Sequence, residues 1–250
     1  MTVVVQFYLF ITKYGYELNA AEGGLKYVFP IFMGKGLATT KKEVGPEAAK
    51  SEQKAAINIL SSLAELLPEN SVERLRFVAK FLENDEEKID RLVELHKEYQ
   101  GKVSAFEEDI RNGKVSLQED EETEEMVADL PVDDRIYLKK LDNGLDMLQR
   151  VDAMIAHLCV GTGGDTRIRD RLWTKLYKQN SSLASVATTL QEHAQHIGRS
   201  TSDQQQEGEE STTNGQSSAN EETSGEKEGE REKLERIVHE LVAFSAGDTQ

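Results

Sequence analysis

Tyr137-Leu138-Lys139-Lys140-Leu141-Asp142-Asn143-Gly144-Leu145-Asp146-Met147-Leu148-Gln149-Arg150-Val151-Asp152-Ala153-Met154-Ile155-Ala156-His157-Leu158-Cys159 is the most informative run in this 250-residue chain. Leu138, Leu141, Leu145, Leu148, Val151, Ile155 and Leu158 recur at steps of three and four, which puts them on one stripe of an α-helix. Met147, Met154 and Cys159 widen that stripe to the broad apolar face of a helix packed on several sides. The pattern predicts one helix from Asp133 to Cys159 at the centre of an all-helical domain.

Upstream, Ile89, Leu92, His96, Tyr99, Val103, Phe106 and Ile110 alternate the same steps. They predict a helix from Asp85 to Arg111 with a seam that holds a partner for about three heptads. Similar periodicity predicts helices over Pro46–Leu67, Val72–Leu82, Asp165–Tyr177 and Ser181–Ile197. The four prolines, Pro30, Pro46, Pro68 and Pro131, fall at expected starts or breaks. After residue 33 there is almost no strand-like alternation.

Other stretches read differently. Residues 1–19 form an unmatched segment whose apolar run, Val3 to Ile11, has no basic flank and is too short for a bilayer span of about 20 residues. Gln118–Glu125 is an acidic block expected to be a solvated loop or the frayed start of a short helix. From Arg199 to Glu230 Ala219 is the only hydrophobic residue, so this tract cannot offset the entropy of ordering and is expected to be a disordered polar, acidic linker. Leu234, Ile237, Val238, Leu241 and Val242 regain helical spacing, predicting a helix within 231–250 that folds back on a domain spanning 20–198.

The formal charge of −16 and a sequence pI near 4.8 argue against direct nucleic-acid binding, which relies on Lys and Arg displacing counterions. Basic protein segments are the better electrostatic partners. The single cysteine, Cys159, has no internal disulfide partner, as suits a reducing compartment. No membrane role is expected, and the oligomeric state is not readable.

Catalytic, metal and cofactor signals are weak. His193 and His196 share a helix face but have no third ligand nearby. His96 sits at a seam position and reads as a structural histidine, while His157 and His239 have no suggestive context. Gly161-Thr162-Gly163-Gly164-Asp165 follows a helix instead of a strand and lacks the Lys-Ser/Thr of a phosphate loop, so a helix stop followed by an Asp165 N-cap accounts for it. Cys159 lies beside an apolar face with no neighbouring base and reads as an inert thiol. No enzyme, metal or cofactor is expected. Glu86, Asp90, Glu94 and Glu98 recur every four residues on one face. Arg91, Lys97 and Lys102 could neutralise them as a solvated surface, or the row could attract a basic partner.

Glu83-Asn84-Asp85-Glu86-Glu87-Lys88-Ile89-Asp90-Arg91-Leu92-Val93-Glu94-Leu95-His96 and Tyr137–Leu145 with Met147-Leu148-Gln149 resemble the C-terminal portion of the beta-catenin-like family of nuclear armadillo-type proteins. Gly24–Met33 and Lys233-Leu234-Glu235-Arg236-Ile237 add to the resemblance in the same order. It implies an armadillo-like α-solenoid whose end is capped by long helices. It also implies nuclear residence, membership of the splicing-associated nineteen complex, and recognition of basic nuclear-localisation segments on spliceosomal proteins. Set against that pattern, the first 19 residues are unmatched, the basic localisation segment and most repeats are missing, and 199–230 is an insertion. The chain is therefore expected to be a fragment or truncated product acting as a non-enzymatic scaffold. The alternative is a helical-repeat adaptor with no splicing role.

Overall fold

The computed structural model describes residues 25, 28–35, 45–69, 71–115, 130–160, 166–197 and 219–247, with side chains of the last stretch over 229–245. The segment 1–19, the acidic block 118–125, the glycine loop 161–165 and residues 199–218 lie outside them. The fold is all-helical, with no strand among the described residues.

A helical stretch over 28–32 precedes α1 (Pro46–Leu66), α2 (Val72–Phe81), a tight turn at Asn84–Glu86, and α3 (Glu87–Arg111). After these come α4 (Val132–Lys140), a π-type turn at Leu141–Leu145, α5 (Asp146–Val160), α6 (Arg167–Lys178), α7 (Leu183–His196) and α8 (Ala219–Gly247). Local chemistry sets the ends. Pro46 occupies the first turn of α1, where its missing N–H is not needed, and Pro68 follows its end. Ser71 caps α2 by accepting the Arg74 N–H at 3.1 Å. Ser182 and Ser185 form a reciprocal capping box on α7.

The centre is α5, which packs against α1, α3, α6, α7 and α8. Leu148, Val151, Met154, Ile155, Ala156 and Leu158 are all buried along it. Each large side chain of this kind contributes about 1.5–3 kcal/mol by leaving water. The tail folds back as expected: α8 lies along α7 and α5 and buries Ile237, Val238 and Leu241.

Several expectations need correction. Asp133–Cys159 is two helices, because Asn143 (φ −90°, ψ 16°) and Gly144 (φ 111°) leave helical geometry between α4 and α5. Leu138, assigned to the buried stripe, is 41% exposed on α4. The helix predicted from Asp85 starts at Glu87, since Asn84, Asp85 and Glu86 are all left-handed, at φ 55°, 52° and 67°. Its buried face is broader than a coiled-coil seam, with Val93 and Leu95 buried beside Leu92 and His96 and with Phe106 and Ile110 only half-buried. Helix α8 begins at Ala219, within the last part of the polar tract. The cap position of α6 is Thr166 instead of Asp165.

Candidate functional site

Helix α3 carries ionisable groups on two opposite sides. On the outside, the four-residue spacing does bring Glu86, Asp90, Glu94 and Glu98 into one row, and every member already has a cation. Arg171 of α6 reaches Glu86 at 3.0 Å, and Lys175, one turn further along α6, pairs closely with Asp90. Arg91 reaches Glu94 at 3.0 Å and Lys102 reaches Glu98 at 2.6 Å. The neutralisation expected from Arg91 and Lys102 is thus present. The two pairs to α6 were not foreseen, because they depend on α6 lying alongside α3. Such solvent-facing pairs are worth about 0–1 kcal/mol each. The row is a zipper between two helices at its start and a set of local pairs at its end, where Glu94 and Glu98 are half exposed.

On the inside, His96 is fully buried and joins three elements. Its Nδ1 lies 2.6 Å from Asp152 Oδ1 of α5, and its Nε2 lies 2.8 Å from Ser181 Oγ in the turn before α7. Burial pushes the Asp152 carboxyl above the usual carboxylate range, opposed by hydrogen bonding and charge from His96. With a neutral imidazole the partners require Nδ1–H to donate to Asp152 and Ser181 O–H to donate to Nε2. Ser185, 3.0 Å from Ser181, donates instead to the Ser182 carbonyl at 2.7 Å. The order carboxylate–imidazole–hydroxyl is that of a serine hydrolase. Here His96 and Asp152 are both fully buried, and through them and Ser181 the cluster pins α3, α5 and the α6–α7 turn together.

Further polar ties surround it. Arg74 is buried and donates to the Ala64 and Leu67 carbonyls, at 2.7 and 3.1 Å, and to the His157 carbonyl at 2.8 Å. It thereby satisfies the end of α1 and ties it to α5. Lys140 holds Glu107 at 2.7 Å and Glu192 at 3.2 Å, linking α4 to α3 and α7.

The remaining sequence candidates separate in space. His193 is held below the usual imidazole range by burial, while His196 stacks on Tyr137 with ring centres 3.6 Å apart. Among the described residues no three metal-ligating side chains converge. His157 is pushed down to about 3 by burial and by Arg74, and the Cys159 thiol is pushed up to about 12 by burial, so neither is a ready acid, base or nucleophile. Among the described residues no helix is long and apolar enough to cross a membrane.

Cavities open on the surface at both ends of α3 among the described residues. One of about 500 Å³ lies beside the π-type turn, between Tyr99, Lys102, Asn143 and Gly144. The other, about 590 Å³, lies at the start of α3. Sequence reasoning missed Arg74, Lys88, Asp152 and Ser181. Asp152 had a signal: a lone carboxylate next to the apolar stripe, facing a helix with a lone histidine in its seam.

Among the described residues, an all-helical frame packed around one core and tied by buried polar pins has the build of a helical-repeat protein. The family described as "Catenin-beta-like, Arm-motif containing nuclear" matches residues 20–191. The chain belongs to that family, and its fold is the armadillo type. Rat Beta-catenin-like protein 1 is 33% identical over 180 residues, covering 70% of this chain and 29% of the rat protein. The human protein of that name is 32% identical over the same shares, and a fission yeast homologue is 30% identical over 138 residues, 55% of this chain and 20% of its own length. The chain thus spans less than a third of the curated relatives it matches.

Proposed function

We propose that this protein is a non-enzymatic protein-interaction scaffold of the nucleus, working within pre-mRNA splicing assemblies by holding basic segments of partner proteins. Membership of a nuclear Arm-motif family supports the location. The observation that carries partner choice is the charge of −16 on a helical frame whose acidic row stands along α3. The pairing pattern supports a narrower reading of where such a segment would bind. Glu86 and Asp90 hold α6 in place, so a basic segment would have to displace Arg171 and Lys175 there. Glu94 and Glu98 are matched only by neighbours on their own helix and exchange partners at little cost. They are the accessible end.

A Lys/Arg-rich localisation peptide titrated into the full chain tests this by fluorescence anisotropy. Glu94→Lys with Glu98→Lys should weaken binding at least about tenfold, and the wild-type affinity should fall as salt rises. Unchanged affinity in the double variant, with its helicity kept, removes the row from the binding surface. Affinity purification from nuclei distinguishes the splicing role from a general adaptor: consistent absence of spliceosomal proteins leaves only the adaptor.

A further inference from the structure

The 590 Å³ cavity at the start of α3 has an apolar wall and one charge that nothing completes. Leu25, Phe29, Pro30 and Met33 form the wall. Phe29 is fixed by edge-to-face contacts with Phe32 and Phe81, at 6.3 and 5.4 Å between ring centres. The charged residues mostly cancel in pairs. Lys80 donates to Glu83 at 2.8 Å, and Lys35 lies 3.5 Å from Glu87, whose carboxylate also accepts from Asn84. Glu83 and Glu87 are held below the usual carboxylate range chiefly by the hydrogen bonds from Lys80 and Asn84, so both stay ionised.

Lys88 is the exception. Its side chain is 7% exposed, and its Nζ makes no hydrogen bond. The Glu83 carboxylate stands off at 3.8 Å, beyond hydrogen-bonding range, and the Phe29 ring centre at 5.5 Å offers only a cation–π contact. Three N–H donors on a buried ammonium are therefore unspent. Its position makes this costlier. Lys88 lies in the first turn of α3, where the helix dipole is positive, and Glu86 at the cap position gives no side-chain cap. A buried ammonium at the positive end of a helix and an apolar wall together call for one negative charge carried on an apolar body.

We propose that this cavity binds a carboxylate attached to an aromatic or aliphatic group, the carboxylate meeting Lys88 and the apolar part lying against Phe29, Pro30 and Met33. A monoanion is the matching charge, because Glu83 and Glu87 pair with Lys80 and Lys35 and would repel a second negative charge, and Arg76, which also lines the cavity, has a partner of its own. The volume falls within the usual range of about 300–1,000 Å³ for small-molecule sites. The same chemistry could come from a free organic acid or from an acidic residue beside a bulky apolar one in a peptide. The site is distinct from the acidic row in the sign of charge it takes.

The experiment is isothermal titration of the full chain with 3-phenylpropionate, with its neutral amide, and with capped Phe-Asp and Phe-Asn peptides. A protein as acidic as this one repels anions in general, so preference for an anion is diagnostic. The acid should bind at least about tenfold more tightly than its amide, and Phe-Asp than Phe-Asn. Lys88→Met should remove that preference. Ala79→Trp, at an exposed position on the cavity wall, should block both ligands without touching the core. Tighter binding of the peptide assigns the site to a protein partner, and tighter binding of the free acid assigns it to a small metabolite. Equal affinity for acid and amide, or binding unaltered in both variants, overturns the proposal.

Discussion

The two faces of α3 hold the same kinds of group under opposite conditions. Outside, four carboxylates each meet a cation in water; inside, a single histidine and a single carboxylate meet with no exposure at all. Water solvates both partners of the outer pairs whether or not they touch, so any one pair matters little. The inner pair has given up its hydration, and losing one partner strands the other. Number of charges is thus a poor guide to structural weight on this helix, and burial is a good one.

The strongest test of the rule that burial sets the weight of a charge is to put a lone carboxylate at one buried and one exposed position. Leu145→Asp places a carboxylate at a position 1% exposed, at a cost of several kcal/mol, comparable to a typical domain's total of about 5–15. Loss of the cooperative melt by circular dichroism is the expected result. Leu138→Asp, seven residues earlier but exposed, should stay within about 0.5 kcal/mol of wild type. Equal effects would mean that Leu138 is buried after all.

Next in size, Asp152→Ala should cost about 1–3 kcal/mol in urea unfolding, because it leaves the Nδ1–H of His96 buried without an acceptor. Replacing both with leucine should recover most of that loss. A cost below about 1 kcal/mol for Asp152→Ala would place the pin on the same footing as the surface row.

His157 sharpens the inner side through pH. Its folded pKa, near 3, lies below its ordinary value of 6.5, so between those limits the unfolded chain takes a proton that the native state refuses. Stability from this group is complete above pH 6.5 and is lost as pH falls towards 3, with a slope of at most about 1.4 kcal/mol per pH unit. Asp152, shifted upward, acts in the opposite sense: its contribution is greatest at low pH and is lost as pH rises through its folded value. His157→Gln should therefore flatten the acid limb of the stability profile, and an unchanged limb would show that His157 is solvated.

The smallest effect belongs to the outer row. Lys175→Ala removes the partner of Asp90 and should cost less than about 1 kcal/mol, a difference that shrinks in 1 M salt, where screening reaches about 3 Å. A larger, salt-insensitive loss would mean that the α3–α6 zipper is effectively buried.

Periodicity made the helices legible, because apolar spacing reports which face is inside. Both α3 and α5 were found from it, with the histidine in the seam. Its failures came where the backbone leaves the helix without interrupting the apolar rhythm. Asn84-Asp85-Glu86 and Asn143-Gly144 both lie within the stretches that resemble the family; the apolar spacing carries the helix through Asn143-Gly144 and starts the next one at Asp85, inside the left-handed turn. Asn and Gly are the residues that tolerate left-handed geometry, so a signal was present. The row Glu86, Asp90, Glu94 and Glu98 was visible as a row, but its partners on α6 were not, since a cross-helix ion pair depends on packing that spacing does not encode.

The break at Gly144 also sets how many residues the chain must have there. A π-type turn closes over one residue more than an α-turn, and each residue turns a helix by about 100°. Deleting Asn143 would let α4 and α5 fuse into one straight rod, with α4 rotated by that angle. Lys140 would swing away from Glu107 and Glu192, and Tyr137 would leave the face of His196. At this point a frame-preserving loss of one codon is as disruptive as a poor substitution, although no apolar contact has been deleted.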